Sequence, residues 1–316
     1  MKTHGRTGPW FWNGWAILGC LVLVGIHART SPAHPPVPMP PADPAIAFGV
    51  QGSLPKLYVM NADGSNKTSI HTLPRFTGWS GTPSWSPDGQ SLAFAQYPGM
   101  PGRALFRIDV DLVNGVPQGT NLTMIADLTA CGGSCGSTPE WSPLGNEIAF
   151  VPSSGPTILV VPSTGGAVAP IYSPPPGSGL GLFLAWSSDG SQLAFVEFNG
   201  AGRSIRVLDR GTGLVVNTFV TGQFNLISSL DWARLGSNRL AFSATTPSDP
   251  TERVHVLDLG TGLAAPIVAG EGAAWSPDNA KIAFVAGGKI KTVVVATGAV
   301  QTLATGSNGY PDWRRF

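Results

Sequence analysis

Residues 85–94 read Trp-Ser-Pro-Asp-Gly-Gln-Ser-Leu-Ala-Phe, and the pattern returns five times along the chain. Trp141 opens WSPLGNEIAF, Trp186 opens WSSDGSQLAF, Trp232 opens WARLGSNRLAF, Trp275 opens WSPDNAKIAF, and Trp313 opens the last four residues, WRRF. The tryptophans are 56, 45, 46, 43 and 38 residues apart, spacings that fit propeller blades. Each unit reads as a strand, a tight turn and a second strand. In Ser86-Pro87-Asp88-Gly89 the proline presets φ, the aspartate bonds nearby backbone and the glycine closes the turn.

A second pattern follows each of these at variable distance: LYVMNADG at 57–64, LFRIDVDLVNG at 105–115, ILVVPSTGG at 158–166, IRVLDRGTG at 205–213, VHVLDLGTG at 254–262 and IKTVVVATG at 290–298. It supplies a third strand and a turn leading into a fourth apolar segment. Four strands repeated six times predict an all-β, six-bladed β-propeller with four-stranded antiparallel blades. The ends fit a ring. Ile46-Ala47-Phe48 matches a second strand with no tryptophan strand before it, and Trp313 is a first strand with nothing after it. Pairing the C-terminal Trp strand with the N-terminal strands removes the edge that an open array would expose.

Composition agrees. Glycine (41) and proline (29) exceed a fifth of 316 residues while charged residues make up 12%, which suits short strands and turns rather than long helices. Ten Trp and fourteen Phe provide for a large core. Net charge is +1, with no basic stripe to neutralise phosphates, so no nucleic-acid partner is expected.

Residues 1–28 read as a signal peptide or signal anchor: Lys2 and Arg6, then an apolar stretch from Trp10 to Ile26. Cleavage after Ala28, retention as an anchor, and lipidation at Cys20 are three alternatives, and all place the rest of the chain outside the cytoplasm. Residues 29–44 are a proline-rich linker, with seven prolines between Ser31 and Pro44. The propeller is assigned to 45–316. The expected product is an exported, periplasmic or extracellular monomer that touches a membrane only through its leader.

The motifs at 85–94 and 57–65 resemble the signature of TolB-type (PD-repeat, WD40-like) propellers, and the resemblance spans about 270 residues. It implies the fold and a binding style. TolB carries an α/β domain ahead of its propeller, whereas here a proline-rich spacer precedes the first strand.

Little catalytic chemistry is visible. The string Gly78-Trp79-Ser80-Gly81 has Thr82 where a nucleophile elbow needs glycine. His71 and His255 alternate with apolar residues in strands, and no His/Cys cluster suggests zinc. Most aspartates occupy turns. Asp109 and Asp111, on one strand face, form a weak cation candidate. Cys131 and Cys135 in CGGSC form a disulfide candidate for an oxidising compartment. The fixed register of Trp85, Trp141, Trp186, Trp232, Trp275 and Trp313 argues for packing between blades. No cofactor is expected.

In an up-and-down blade, the turns after strands one and three share one edge, here called the turn face. The connections after strands two and four share the other, the loop face, and include 73–84, 95–104, 126–140, 173–184 and 243–253. Irregular loops on a rigid frame usually carry function. The expected contact surface is Arg75, Phe76, Trp79, Tyr97, Arg103, Phe183, Phe224 and Tyr310, aromatic and arginine residues of the kind enriched in hot spots. The expected role is non-enzymatic binding of a protein or peptide in the cell envelope. The alternative is an extracellular propeller enzyme, lyase-like or glycosidase-like, acting at the central channel.

Overall fold

A computed structural model describes residues 43–73, 80–99, 102–128, 138–152, 155–234, 236–306 and 309–315. These form six four-stranded antiparallel sheets, and none is helical. Blade 1 orders β24 (Asp312–Trp313), β1 (Ile46–Val50), β2 (Lys56–Met60) and β3 (Thr68–Thr72). Blade 2 runs β4 (Ser80–Trp85), β5 (Ser91–Gly99), β6 (Gly102–Val113) and β7 (Val116–Asp127). Blade 3 has β8 (Glu140–Trp141), β9 (Glu147–Phe150), β10 (Ile158–Pro162) and β11 (Ala169–Tyr172). Blade 4 has β12 (Gly179–Trp186), β13 (Gln192–Asn199), β14 (Gly202–Asp209) and β15 (Val215–Phe219). In blade 5 the strands are β16 (Leu226–Trp232), β17 (Arg239–Thr245), β18 (Arg253–Asp258) and β19 (Ala264–Ala269), and in blade 6 β20 (Glu271–Trp275), β21 (Lys281–Ala286), β22 (Lys289–Val294) and β23 (Val300–Thr305).

The six tryptophan strands touch one another in succession around the ring and form its inner wall. Closure follows the expected pairing: Ile46 opposes Trp313 and Ala47 opposes Asp312 in an antiparallel ladder. That ladder is only two residues long, so other contacts must hold the last strand.

The core is divided among the six gaps between blades. Each gap holds one apolar cluster, and each cluster contains one repeat tryptophan. Between blades 4 and 5, for example, Trp232 meets Ala185, Val196, Ile205 and Val207. Fully burying an indole stabilises such a gap by a few kcal/mol.

Two turn devices set the strand ends. Ser86 Oγ donates to Asp88 Oδ1 at 2.5 Å and Gln90 N–H donates to the same oxygen, while Gly89 takes φ +68°. The arrangement recurs at Ser187/Asp189 and Ser276/Asp278. In the last of these, Asn279 takes the left-handed position, and its amide bonds both the N–H and the carbonyl of Arg234 on the neighbouring blade, each at 2.6 Å.

Several stretches expected as loops are strand. Residues 95–104 are largely a continuation of the β5–β6 hairpin, with Gln96 opposite Ala104 and Gly99 opposite Gly102. Strand pairing likewise begins at Gly179 within the expected loop 173–184. Extending the ladder satisfies backbone groups that a loop would leave to water.

Candidate binding site at the channel mouth

The channel is built by one register position. The residues immediately before the six tryptophans are Ser84, Glu140, Ala185, Asp231, Ala274 and Asp312, so carboxylates fall on blades 1, 3 and 5 alone. Glu140, Asp231, Ala274 and Asp312 line a cavity of about 30 Å³, together with Thr82, Pro83, Phe183, Ser229 and Tyr310. That is room for little more than water.

Toward the turn face the carboxylates meet two arginines. Arg234 and Arg315 stand two residues after their tryptophans, where WSPDG units carry proline. Arg234 Nη1 donates to Asp231 Oδ1 at 2.7 Å and to the Trp232 carbonyl. Arg315 Nη2 donates to Glu140 Oε1 at 2.6 Å, joining blade 1 to blade 3. Backbone groups complete the floor: Trp275 N–H donates to Asp231 Oδ2 at 2.6 Å and Trp85 N–H to Asp312 Oδ2 at 2.7 Å. Burial pushes Glu140 up to about 8 against the pull of Arg315, and Asp312 up to about 6 against that of Arg234.

At the loop-face end the chemistry changes. Phe183 of β12 and Tyr310, just before β24, bring their rings to 5.5 Å across the mouth. Gly272 makes this fit, because at φ +69° a Cβ there would stand 2.5 Å from the Tyr310 ring. Tyr310 Oη donates to Glu271 Oε2 at 3.2 Å, and Ser228 Oγ donates to Glu252 Oε1. Burial and the charge of Glu271 raise Glu252 to about 7, and the same two causes raise the Tyr310 phenol. Among the described residues, neither Glu252 nor Glu271 makes an ion pair.

Of the residues expected at a contact surface, Phe183 and Tyr310 are brought together at the mouth. Phe224 is placed otherwise: it is 6% exposed, in the core between blades 4 and 5, edge-on to Phe242 and His255. Its loop turns inward because an apolar ring gains more there than in water. Tyr97 and Arg103 lie on β5 and β6, with side chains outside the described set, and Arg75, Phe76, Trp79, Cys131 and Cys135 lie outside the described residues. Asp109 accepts from Arg107 at 3.0 Å, Ser91 at 2.7 Å and Asn121 at 3.1 Å, and Asp111 accepts from Thr120 at 2.5 Å, so protein donors occupy this pair. The described residues hold no group of three side chains placed to bind a metal ion.

Sequence reading missed Glu140, Asp231, Asp312, Arg234 and Arg315, although the repeat carries their signal. Aligned on tryptophan, the preceding position alternates acid with small residue, and two units replace proline or serine with arginine. Glu252 and Glu271 have no such signature, since connections of different length bring them together.

No protein-family model matches this sequence, and no curated protein matches it. Solved structures do. TolB from Acinetobacter baumannii is similar over 86% of this chain at 17% identity and a TM-score of 0.68, and the chain spans 66% of that protein's length. A chain of a nidogen/laminin complex is similar over 86% of this chain and 98% of its own, at 11% identity and a TM-score of 0.65. An oligogalacturonate lyase in complex with manganese is similar over 75% of this chain and 70% of its own, at 15% identity and a TM-score of 0.53. The fold is therefore the six-bladed propeller found in TolB.

Proposed function

We propose that the protein is exported and acts by binding, taking a protein or peptide partner onto the loop face at the channel mouth. The carrying observation is that inner-strand side chains fill the channel to a cavity of about 30 Å³, whereas small-molecule sites usually run to roughly 300–1,000 Å³. At the channel mouth a partner then has a rim to dock on rather than a cleft to enter. The rim offers the Phe183–Tyr310 pair and two carboxylates without a guanidinium among the described residues. Arg75, Trp79, Tyr97 and Arg103 are proposed to contribute to the same surface. The nidogen/laminin likeness supports this reading, since that propeller's structure was solved in a complex.

Affinity capture from cell-envelope extract tests the proposal. The wild-type domain should retain a discrete partner, and Phe183→Ala combined with Trp79→Ala should lose it while melting normally. Undiminished capture by that variant would count against the loop face.

A second reading rests on Glu252. A carboxyl held near neutrality beside a second carboxylate is the kind of group an acid–base enzyme uses, and one similar propeller is an oligogalacturonate lyase. Turnover of an acidic oligosaccharide that disappears in Glu252→Gln would favour it.

A further inference from the structure

We propose that the channel floor holds one exchangeable proton at neutral pH, shared by Glu140 and Asp312, and that this proton fastens the closing strand β24. Glu140, Asp231 and Asp312 face Arg234 and Arg315, three potential negative charges against two positive ones. The other inner strands supply Ser84 from β4, Ala185 from β12 and Ala274 from β20 at the same level, none of them titratable. Full ionisation would thus leave an unbalanced charge on partly buried groups around a cavity with room for little more than water, which is unfavourable.

Hydrogen bonding decides where the proton goes. Asp231 is best provided for as an anion, receiving the Trp275 N–H on one oxygen and the Arg234 guanidinium on the other. Asp312 receives the Trp85 N–H. Glu140 relies on Arg315 alone, a guanidinium whose charged form burial and the like charge of Arg234 disfavour. The upward displacement of Glu140 to about 8 and of Asp312 to about 6 agrees with that order.

The strand that bears the consequence is β24. Its ladder to β1 has two residue pairs, supplemented by Arg314 N–H donating to the Ala45 carbonyl at 2.7 Å. Arg314 Nη2 also pairs with Asp43 at 2.7 Å and Trp313 packs against Ile46, Phe48 and Met60, and further ties run through the floor: Asp312 to Trp85, Arg315 to Glu140, and Arg234 Nη2 to the Trp313 carbonyl at 3.5 Å. A carboxyl raised above its ordinary value adds stability that is complete below that value and lost as pH rises through the raised one. Closure is therefore tightest in mild acid and loosens toward pH 8 and above.

The test is proton uptake on refolding at pH 7, measured calorimetrically in buffers of different ionisation enthalpy, for wild type and Glu140→Gln. The variant should take up about one proton fewer, and equal uptake would overturn the proposal. Should Glu140→Gln not fold, infrared spectra of Glu252→Gln protein, whose floor is intact, decide instead. A protonated-carboxyl band at pH 7 that bleaches on alkalinisation is expected, and its absence overturns the proposal. The fastening is read by tryptic cleavage after Arg314 and Arg315, normalised to a reference peptide. Cleavage should accelerate several-fold between pH 7 and pH 9 in wild type and not in Glu140→Gln, and a pH-independent wild-type rate contradicts it.

Discussion

The two ends of the channel use the same kind of residue to opposite effect. At the floor, carboxylates on alternate blades are matched with arginines and backbone N–H groups until only one charge is left over. At the mouth, Glu252 and Glu271 stand beside a phenol and a hydroxyl, with no guanidinium or ammonium bonded to either among the described residues. Both sets lie within one ring, so fold alone does not account for the difference. Charge enclosed by the inner wall must be largely balanced locally, because little water can reach it. Charge at a rim can wait for a partner. We read the floor as the part that holds the ring shut and the mouth as the part that binds.

This contrast breaks most visibly at the floor. Arg234→Ala strips Asp231 of its guanidinium and leaves three carboxyl groups facing Arg315 alone, at a cost of about 3–5 kcal/mol. Denaturant titration should show the midpoint falling steeply. A loss below about 1 kcal/mol would mean that the floor does not hold the ring.

A smaller effect is expected at the mouth. Gly272→Ala places a methyl group against Tyr310 at a positive φ, costing about 1–3 kcal/mol. It should also disturb the Phe183–Tyr310 pair, so partner capture should weaken more than stability alone explains. Capture that tracks stability would argue against a role for that pair.

Glu252→Gln separates the ends by pH. Glu252 is raised from 4.5 to about 7, so its contribution is present below about pH 4.5 and lost as pH rises through 7. The glutamine variant should therefore gain on wild type in thermal stability from pH 5 to pH 8. A difference that does not change with pH would show that Glu252 is not held in its protonated form.

The smallest effect serves as a control. Asp189→Ala removes an acceptor for Ser187, Ser191 and the Ser191 N–H in a turn-face hairpin, at a cost of about 1 kcal/mol. Capture should be unaffected, and a loss would place the contact surface on the turn face.

The ring was legible because its determinants are local and repeated. A tryptophan followed by Pro-Asp-Gly states a strand, its end and a turn within five residues, and the unpaired Ile46-Ala47-Phe48 and Trp313 state the closure. The floor was legible in principle, as a departure from that repeat at Arg234 and Arg315, but only to a reader who aligned the units and asked which side chains converge on the axis. Phe224 shows the limit. An aromatic residue in a connecting segment reads as a surface residue, whereas the partners that bury it, Phe242 and His255, lie 18 and 31 residues further along the chain. The Glu252–Glu271 pairing was invisible for the same reason, since it depends on where two connections of different length arrive.

The assignment of binding to one end is tested most directly by photo-crosslinking in the native envelope, with a photoreactive residue at position 183 on the loop face or at position 277 on the turn face. The account predicts a discrete adduct from position 183 that disappears in Glu271→Gln, and none from position 277. An adduct from position 277 with none from position 183 would contradict it.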